Sequence, residues 1–200
     1  MDRVPLTVSN FIDLANRGFY TGIAFHRVID DFMLQIGCPN TKSEATLAQA
    51  GKGNAPPNSS FTNIVTGESC TRNSAGCIQD EFVSKDSNLS MTLAMANTGD
   101  RDSGGSQFFI NVVANTNLDW FETENPGSKH PVFGRIVTGS SDGKPTGGAA
   151  VIAAIAKTPT NPKTDRPTRP IRITAITIKL PQPVEPADTG TLGAPEPEPE

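Results

Sequence analysis

Two side chains that could do chemistry without a nucleophile, Arg27 and Gln35, lie in the stretch AFHRVIDDFMLQIG, residues 24–37. That stretch otherwise reads as two short apolar strands joined at Asp30-Asp31. Asn97, Gln107 and His130 are likewise polar residues set in apolar segments, with Phe32, Met33, Phe108, Phe109 and Leu118 as apolar neighbours. Each polar residue taken alone is what an outward-facing strand position looks like. Strand alternation places Phe25, Arg27 and Ile29 on one face, and Met33 and Gln35 on one face of the next strand. A permanent cation and amide donors over an apolar floor form a binding groove. Such a groove could also catalyse a reaction that needs only electrostatics and shape.

Other chemistries lack their parts. The chain has only two histidines, His26 and His130. GGSQF around Ser106 is not the G-x-S-x-G of a nucleophile elbow. Clustered histidines and acids for catalytic zinc are missing from the sequence, so neither metal nor cofactor is called for. The glycine-rich TGDRDSGGSQ (98–107) lacks the lysine of a phosphate-binding loop and leads into a strand pattern, so it reads as a turn. Cys38, Cys70 and Cys77 make no C-x-x-C pair. Cys70 and Cys77 flank TRNSAG; a bridge between them and free thiols stand as equal readings.

These side chains need rigid elements to hold them. VPLTVSNFIDLANRG (4–18) sets Val8, Phe11, Ile12 and Ala15 at helical spacing, with Pro5 suited to the first turn and Gly18 to the C-terminal cap. Strand patterns follow at LSMTLAMA (89–96), SQFFINVV (106–113), PVFGRIV (131–137) and IRITAITIKL (171–180), the last alternating cleanly. GGAAVIAAIAKT (147–158) reads as a second helix. Few helices and grouped strands argue against alternating βα units and for a barrel or sandwich with helical plugs. Residues 38–80 form a long polar region, of the kind that is usually functional or stapled.

Composition sets outer bounds. With 200 residues the chain can bury one sizeable core. Residues 181–200 hold five acids, six prolines and no bases, so the net charge of −4 leaves +1 on the body. No basic stripe points to nucleic acid. Neither a transmembrane run nor a signal peptide is visible, so no membrane association and a cytoplasmic setting are expected. The acidic tail cannot bury a core and is expected to be disordered.

FHRVIDDFMLQIG, LAMANTG, GGSQFFINV and KHPVFGRI, in this order, resemble the cyclophilin family of peptidyl-prolyl isomerases. The resemblance covers roughly residues 4–180, and NLDWF…SKHPVFG is closest in style to bacterial or related microbial members. It implies a mainly β, cyclophilin-like antiparallel eight-stranded barrel with two capping helices. The isomerase domain would span 1–180, with the long insert at about 38–80. By position, it implies Arg27 as the catalytic arginine and Gln35 as the residue that orients it. Phe32, Met33, Phe109, Leu118 and His130 would form the proline pocket, with Ala96, Asn97 and Gln107 lining the adjoining groove. The implied partners are proline-containing peptides and unfolded or folding proteins, with a monomer as the acting species. A non-catalytic proline-peptide binding or scaffold module is the alternative function.

Three departures from the family pattern stand out. Only MDR precedes VPLTVSNF, where family members carry two strands before the first helix, so an N-terminally truncated barrel is expected. The 38–80 region is longer than the corresponding loop of small members. Asn117 stands where many members carry a tryptophan, which implies weak binding of cyclosporin unless Trp120 folds back to replace that ring.

Overall fold

The computed structural model describes residues 3–124, 127–141 and 144–179. Helix α1 spans Pro5–Asn16, and α2 spans Gly148–Ala156. Pro5 opens α1, where its missing N–H costs nothing. The helix ends in a pair of capping bonds: Gly18 N donates to Ala15 O at 3.0 Å and Phe19 N to Leu14 O at 2.9 Å. Gly18 adopts φ +66° there, as the cap requires. Ile12, Leu14 and Ala15 are buried, and the half-buried Phe11 meets the rings of Tyr20, Phe108 and Phe133.

Five strands form the main sheet: β1 (Arg27–Ile29), β2 (Met33–Ile36), β5 (Thr92–Met95), β6 (Phe108–Asn111) and β7 (Val132–Arg135). Their order is β1-β2-β6-β5-β7, antiparallel throughout. Between β2 and β5 lies the hairpin of β3 (Ser60–Thr62) and β4 (Ser69–Thr71). After β7 comes a second hairpin, β8 (Thr138–Ser141) with β9 (Lys144–Gly147). Asp31 turns β1 into β2 with φ +57°, a conformation that short polar side chains tolerate.

The register produces two lateral rows. Val28, Leu34, Ile110, Leu93 and Gly134 lie side by side across the five strands, and their apolar members pack into the main core with Tyr20, Ile23, Phe108 and Ile152. The other face carries Arg27, Gln35, Phe109, Ala94 and Val132 in one line. The pleat separates the two rows, because successive side chains point to opposite sides.

The described residues are mainly antiparallel β with two helices, as expected, and their five-stranded sheet is open, with β1 and β7 at its edges and the two hairpins outside it. Two expectations need correction. Residues 171–179 form no continuous strand. They contact the chain at Ala24 through an isolated bridge with Arg172, and Ile173 N donates to Ile23 O at 2.9 Å. The apolar pattern there changes phase after Ile173 and reports packing: Ile171, Ile173, Ile176 and Ile178 lean on the core. The 38–80 region is also more than a polar loop. It holds 3₁₀ turns at Pro39–Thr41 and Glu44–Gln49 as well as the β3–β4 hairpin, and Cys38, Cys70 and Cys77 are all free thiols. The acidic tail, 181–200, lies outside the described residues. Among those residues no helix is long and apolar enough to cross a membrane.

Candidate active site

The outer row assembles the sequence-derived residues. Arg27 and Gln35 are register partners across β1 and β2, and Gln35 faces Phe109 across β2 and β6. Met33, Ala94, Ala96, Phe109, Leu118 and Val132 form an apolar cluster on this face, with Phe32 and Ile29 packed against it. This cluster is separate from the main core, so the sheet carries apolar surface on both faces. Arg27 stands at its margin with 43% of its side chain exposed. Its guanidinium lies 5.8 Å from the centre of the Phe32 ring, within reach of a cation–π contact.

Phe25 departs from the sequence reading. It is buried in the main core with Val28 rather than sharing a face with Arg27. The regular strand begins only at Arg27, and Phe25 N instead donates to Ile171 O at 3.0 Å. Period-two counting across that join therefore fails.

His130 closes the far side of the cluster. Its ring meets Phe109 edge-on, with centroids 5.2 Å apart. Nδ1 lies 2.9 Å from Met95 O. A carbonyl oxygen can only accept, so Nδ1 carries the proton and Nε2 is the unprotonated nitrogen of the neutral ring. Burial lowers the His130 pKa, partly opposed by that carbonyl bond. The backbone fixes the residue further, since His130 N donates to Leu118 O at 3.0 Å.

The amide side of the groove is a relay. Gln35 Nε2 donates to Gln107 Oε1 at 3.2 Å. Gln107 Nε2 donates to the carbonyls of Gly51 and Gly53, each at 2.8 Å. Cys38 Sγ in turn accepts from the N–H groups of Gly51 and Gly53, each at 3.2 Å. The 38–80 region thus reaches the site through Gln107. Gly37 lets this happen: with φ +105°, a Cβ there would fall 2.3 Å from Ser106 O. Gln35 is turned toward Gln107, and the contacts recorded for Arg27 run to Asp165 and Phe32.

Asn97 sits at the end of β5, where its Nδ2 donates to Lys129 O at 2.7 Å and its Oδ1 accepts from Gly99 N at 3.1 Å. Its side chain thereby shapes the loop. A polar cavity of about 390 Å³ adjoins it, lined also by Asp80, Phe82, Arg101 and Lys129. Ala96 N donates to Gln107 O at 3.1 Å, which ties the two groove-lining segments together.

Trp120 does not take the place of a ring at position 117. Its Nε1 donates to Ser84 O at 2.8 Å, and the indole stacks on Phe82 at 5.7 Å.

Two residues near Arg27 were not singled out from sequence. His26 is buried, and among the described residues its Nδ1 has no hydrogen-bond partner. Burial pushes its pKa down to about 4, helped by the charges of Arg27 and Arg166. Asp165 Oδ2 lies 3.6 Å from Arg27 Nε. The signal for Asp165 was a turn-forming run, NPKTDRP (161–167), that places an acid near the last apolar segment.

Residues 1–178 match the family described as cyclophilin type peptidyl-prolyl cis-trans isomerase/CLD. The chain is 36% identical over 176 residues to the peptidylprolyl isomerase domain and WD repeat-containing protein 1 of Homo sapiens; that match covers 88% of this chain and 21% of that protein. A peptidyl-prolyl cis-trans isomerase of Acinetobacter baylyi is 30% identical, with 89% of this chain and 76% of the relative covered. A putative peptidyl-prolyl cis-trans isomerase of Staphylococcus aureus is 33% identical, with 88% and 81% covered. In fold, the chain is similar to a Cryptosporidium parvum cyclophilin type peptidyl-prolyl cis-trans isomerase solved in the presence of the dipeptide Ala-Pro. That similarity has a TM-score of 0.62 at 21% identity and covers 90% of this chain and 89% of the other. With nearly the whole chain matched and bacterial relatives covered over most of their length, this chain belongs to the cyclophilin-type peptidyl-prolyl cis-trans isomerase family.

Proposed function

We propose that the chain catalyses cis–trans rotation of X-Pro bonds in peptides and in unfolded or folding proteins. The observation that carries this reading is the outer row, which sets Arg27 at the rim of the Met33, Phe109 and Leu118 cluster. In this reading the cluster, with Phe32 and His130, receives the proline ring. Gln35, Ala96, Asn97 and Gln107 line the approach of the peptide backbone.

The chemistry follows from the amide. Partial double-bond character gives X-Pro rotation a barrier of roughly 18–20 kcal/mol. Twisting the bond localises the nitrogen lone pair, which then accepts a hydrogen bond. An arginine aimed at that nitrogen stabilises the twisted state more than either planar state. Arginine suits the task because it stays protonated and presents a fixed fork of donors. Shortening an event of about 100 s to about a millisecond requires roughly 7 kcal/mol. One charged hydrogen bond does not supply all of that. The apolar floor must also hold the ring still while the preceding residue rotates.

Support comes from the family and from the related Cryptosporidium protein, which was crystallised with Ala-Pro. The test is a protease-coupled isomerisation assay on a short X-Pro peptide. Turnover by the parent protein is expected. Peptide binding without any turnover would instead establish a proline-peptide binding module.

A further inference from the structure

The segment after α2 folds into a tight excursion against β1. Thr160 bridges Pro167, Asn161 N donates to Arg166 O at 2.8 Å, and Thr168 N donates to Pro159 O at 2.9 Å. Asp165 stands in this excursion with φ +54°, and its N–H is bound to Asn161 O at 2.9 Å. Its own carbonyl accepts Val28 N at 2.7 Å, from the residue next to Arg27. Arg166 Nη1 reaches Leu47 O at 3.3 Å, and Lys157 Nζ pairs with Asp30 beyond the other end of β1. The excursion is therefore fixed to the strand that carries Arg27.

From that anchorage the Asp165 carboxylate faces Arg27 Nε at 3.6 Å, with both side chains about two-fifths exposed. The separation is beyond hydrogen-bond length, so the contact is a charge steering a charge. It engages the Nε side of the guanidinium. The Phe32 ring lies 5.8 Å from the guanidinium carbon. A fork guided at Nε still has both terminal amino groups to offer a substrate.

We infer that Asp165 is a positioning residue for Arg27, holding the guanidinium at the groove margin with its terminal donors available to the twisted amide. The inference rests on the reading of Arg27 given under Proposed function. Backbone geometry supplies a clean variant. Asn tolerates positive φ at least as well as Asp and has the same shape, so Asp165→Asn removes the charge and spares the turn.

The experiment is NMR exchange spectroscopy on a blocked, uncharged X-Pro peptide, comparing parent, Asp165→Asn and Arg27→Ala. An exposed charge contact of this kind predicts a fall in kcat of about two- to fivefold for Asp165→Asn, with KM unchanged. The parent rate should also fall as ionic strength rises from 0.01 M to 1 M, where the screening length drops from about 30 Å to about 3 Å, and the Asp165→Asn rate should stay level. Equal or faster turnover by Asp165→Asn, beside an inactive Arg27→Ala, overturns the inference and leaves the isomerase reading standing. Arg27→Ala turning over at the parent rate overturns the reading of Arg27 itself, and this inference with it. Should Asp165→Asn fail to fold, the parent's salt response decides alone: a flat rate sinks the proposal.

Discussion

Arg72 Nη2 donates to Asp13 Oδ2 at 2.8 Å, joining the residue that follows β4 to the C-terminal half of α1. Only 1% of the Arg72 side chain is exposed. Its Nε donates to Asn10 Oδ1 at 2.8 Å, Nη1 donates to Ser59 Oγ at 3.0 Å, and its guanidinium lies 4.6 Å from the Phe61 ring centre. Asn10 passes the link on through Nδ2 to Gly105 O at 2.8 Å. The β3–β4 hairpin is thus stapled to the helix, and the helix to the segment that leads into β6.

Arg72→Met should therefore destabilise the fold. Removing one partner of a buried pair costs about 3 kcal/mol, because the remaining carboxylate and amide lose their donor. For a chain of this size that is roughly 6–12 °C in melting temperature. Chemical and thermal unfolding of the variant measure it. A shift below about 1 kcal/mol, the range of exposed pairs, would show that Asp13 is served well enough by water and by Arg17, whose Nε donates to its Oδ1 at 2.8 Å.

Arg27→Ala should lower kcat/KM by about 10²–10³-fold, the usual loss when one donor to a developing charge is removed. Its melting temperature should barely move, since the side chain is partly exposed and its ion pair is long. Unchanged turnover in the protease-coupled assay would take Arg27 out of the mechanism.

His26 gives stability a pH dependence. Its folded pKa is lowered to about 4 from an ordinary 6.5. Between those values the unfolded chain binds more protons than the folded one, so stability is greatest above about 6.5 and declines as pH falls toward about 4. The slope from one such group is at most about 1.4 kcal/mol per pH unit. Lowering of the His130 pKa acts in the same direction. Replacing His26 by Gln should flatten the unfolding free energy between pH 6.5 and pH 4 relative to the parent. Parallel pH profiles for the two proteins would refute this assignment.

Cyclosporin should inhibit weakly. The tryptophan that many family members place here is Asn117, and the Trp120 indole N–H is already bound to Ser84 O. Losing a large aromatic contact and its donor corresponds to about 2–4 kcal/mol, or roughly 30- to 1000-fold in affinity. Asn117→Trp should tighten inhibition, as titration of the drug into the isomerase assay would reveal. Nanomolar inhibition of the parent contradicts the argument.

Much of the site was legible because strand periodicity is local. Arg27 and Ile29, then Met33 and Gln35, fall on one face once β1 and β2 are placed, and Phe109 of β6 adds to the floor. What the sequence hid was set by distant partners. Asp165 belongs to the site only because the turn after α2 returns to Val28. Phe25 changes face because it bonds to Ile171 instead of continuing β1. The β3–β4 hairpin was masked by polar composition, and it is tied to α1 by one buried guanidinium meeting Asn10 and Asp13. In 171–179 the isoleucines change phase between Ile173 and Ile176, and a ladder also needs a partner along its length.

The main sheet ends at β7, and a cavity of about 440 Å³ runs along that margin between Val4, Val8, Leu89 and Phe133. A terminal strand beside an apolar trough is a template for adding strands from another molecule. Arg3 and Arg135 border the trough together with Asp86, whose carboxylate accepts Arg3 Nε and Nη2 at 2.7 Å, so the rim carries charges of both signs. Pairing along β7 would then turn on how well the apolar trough is covered, more than on the screening of a one-sign charge.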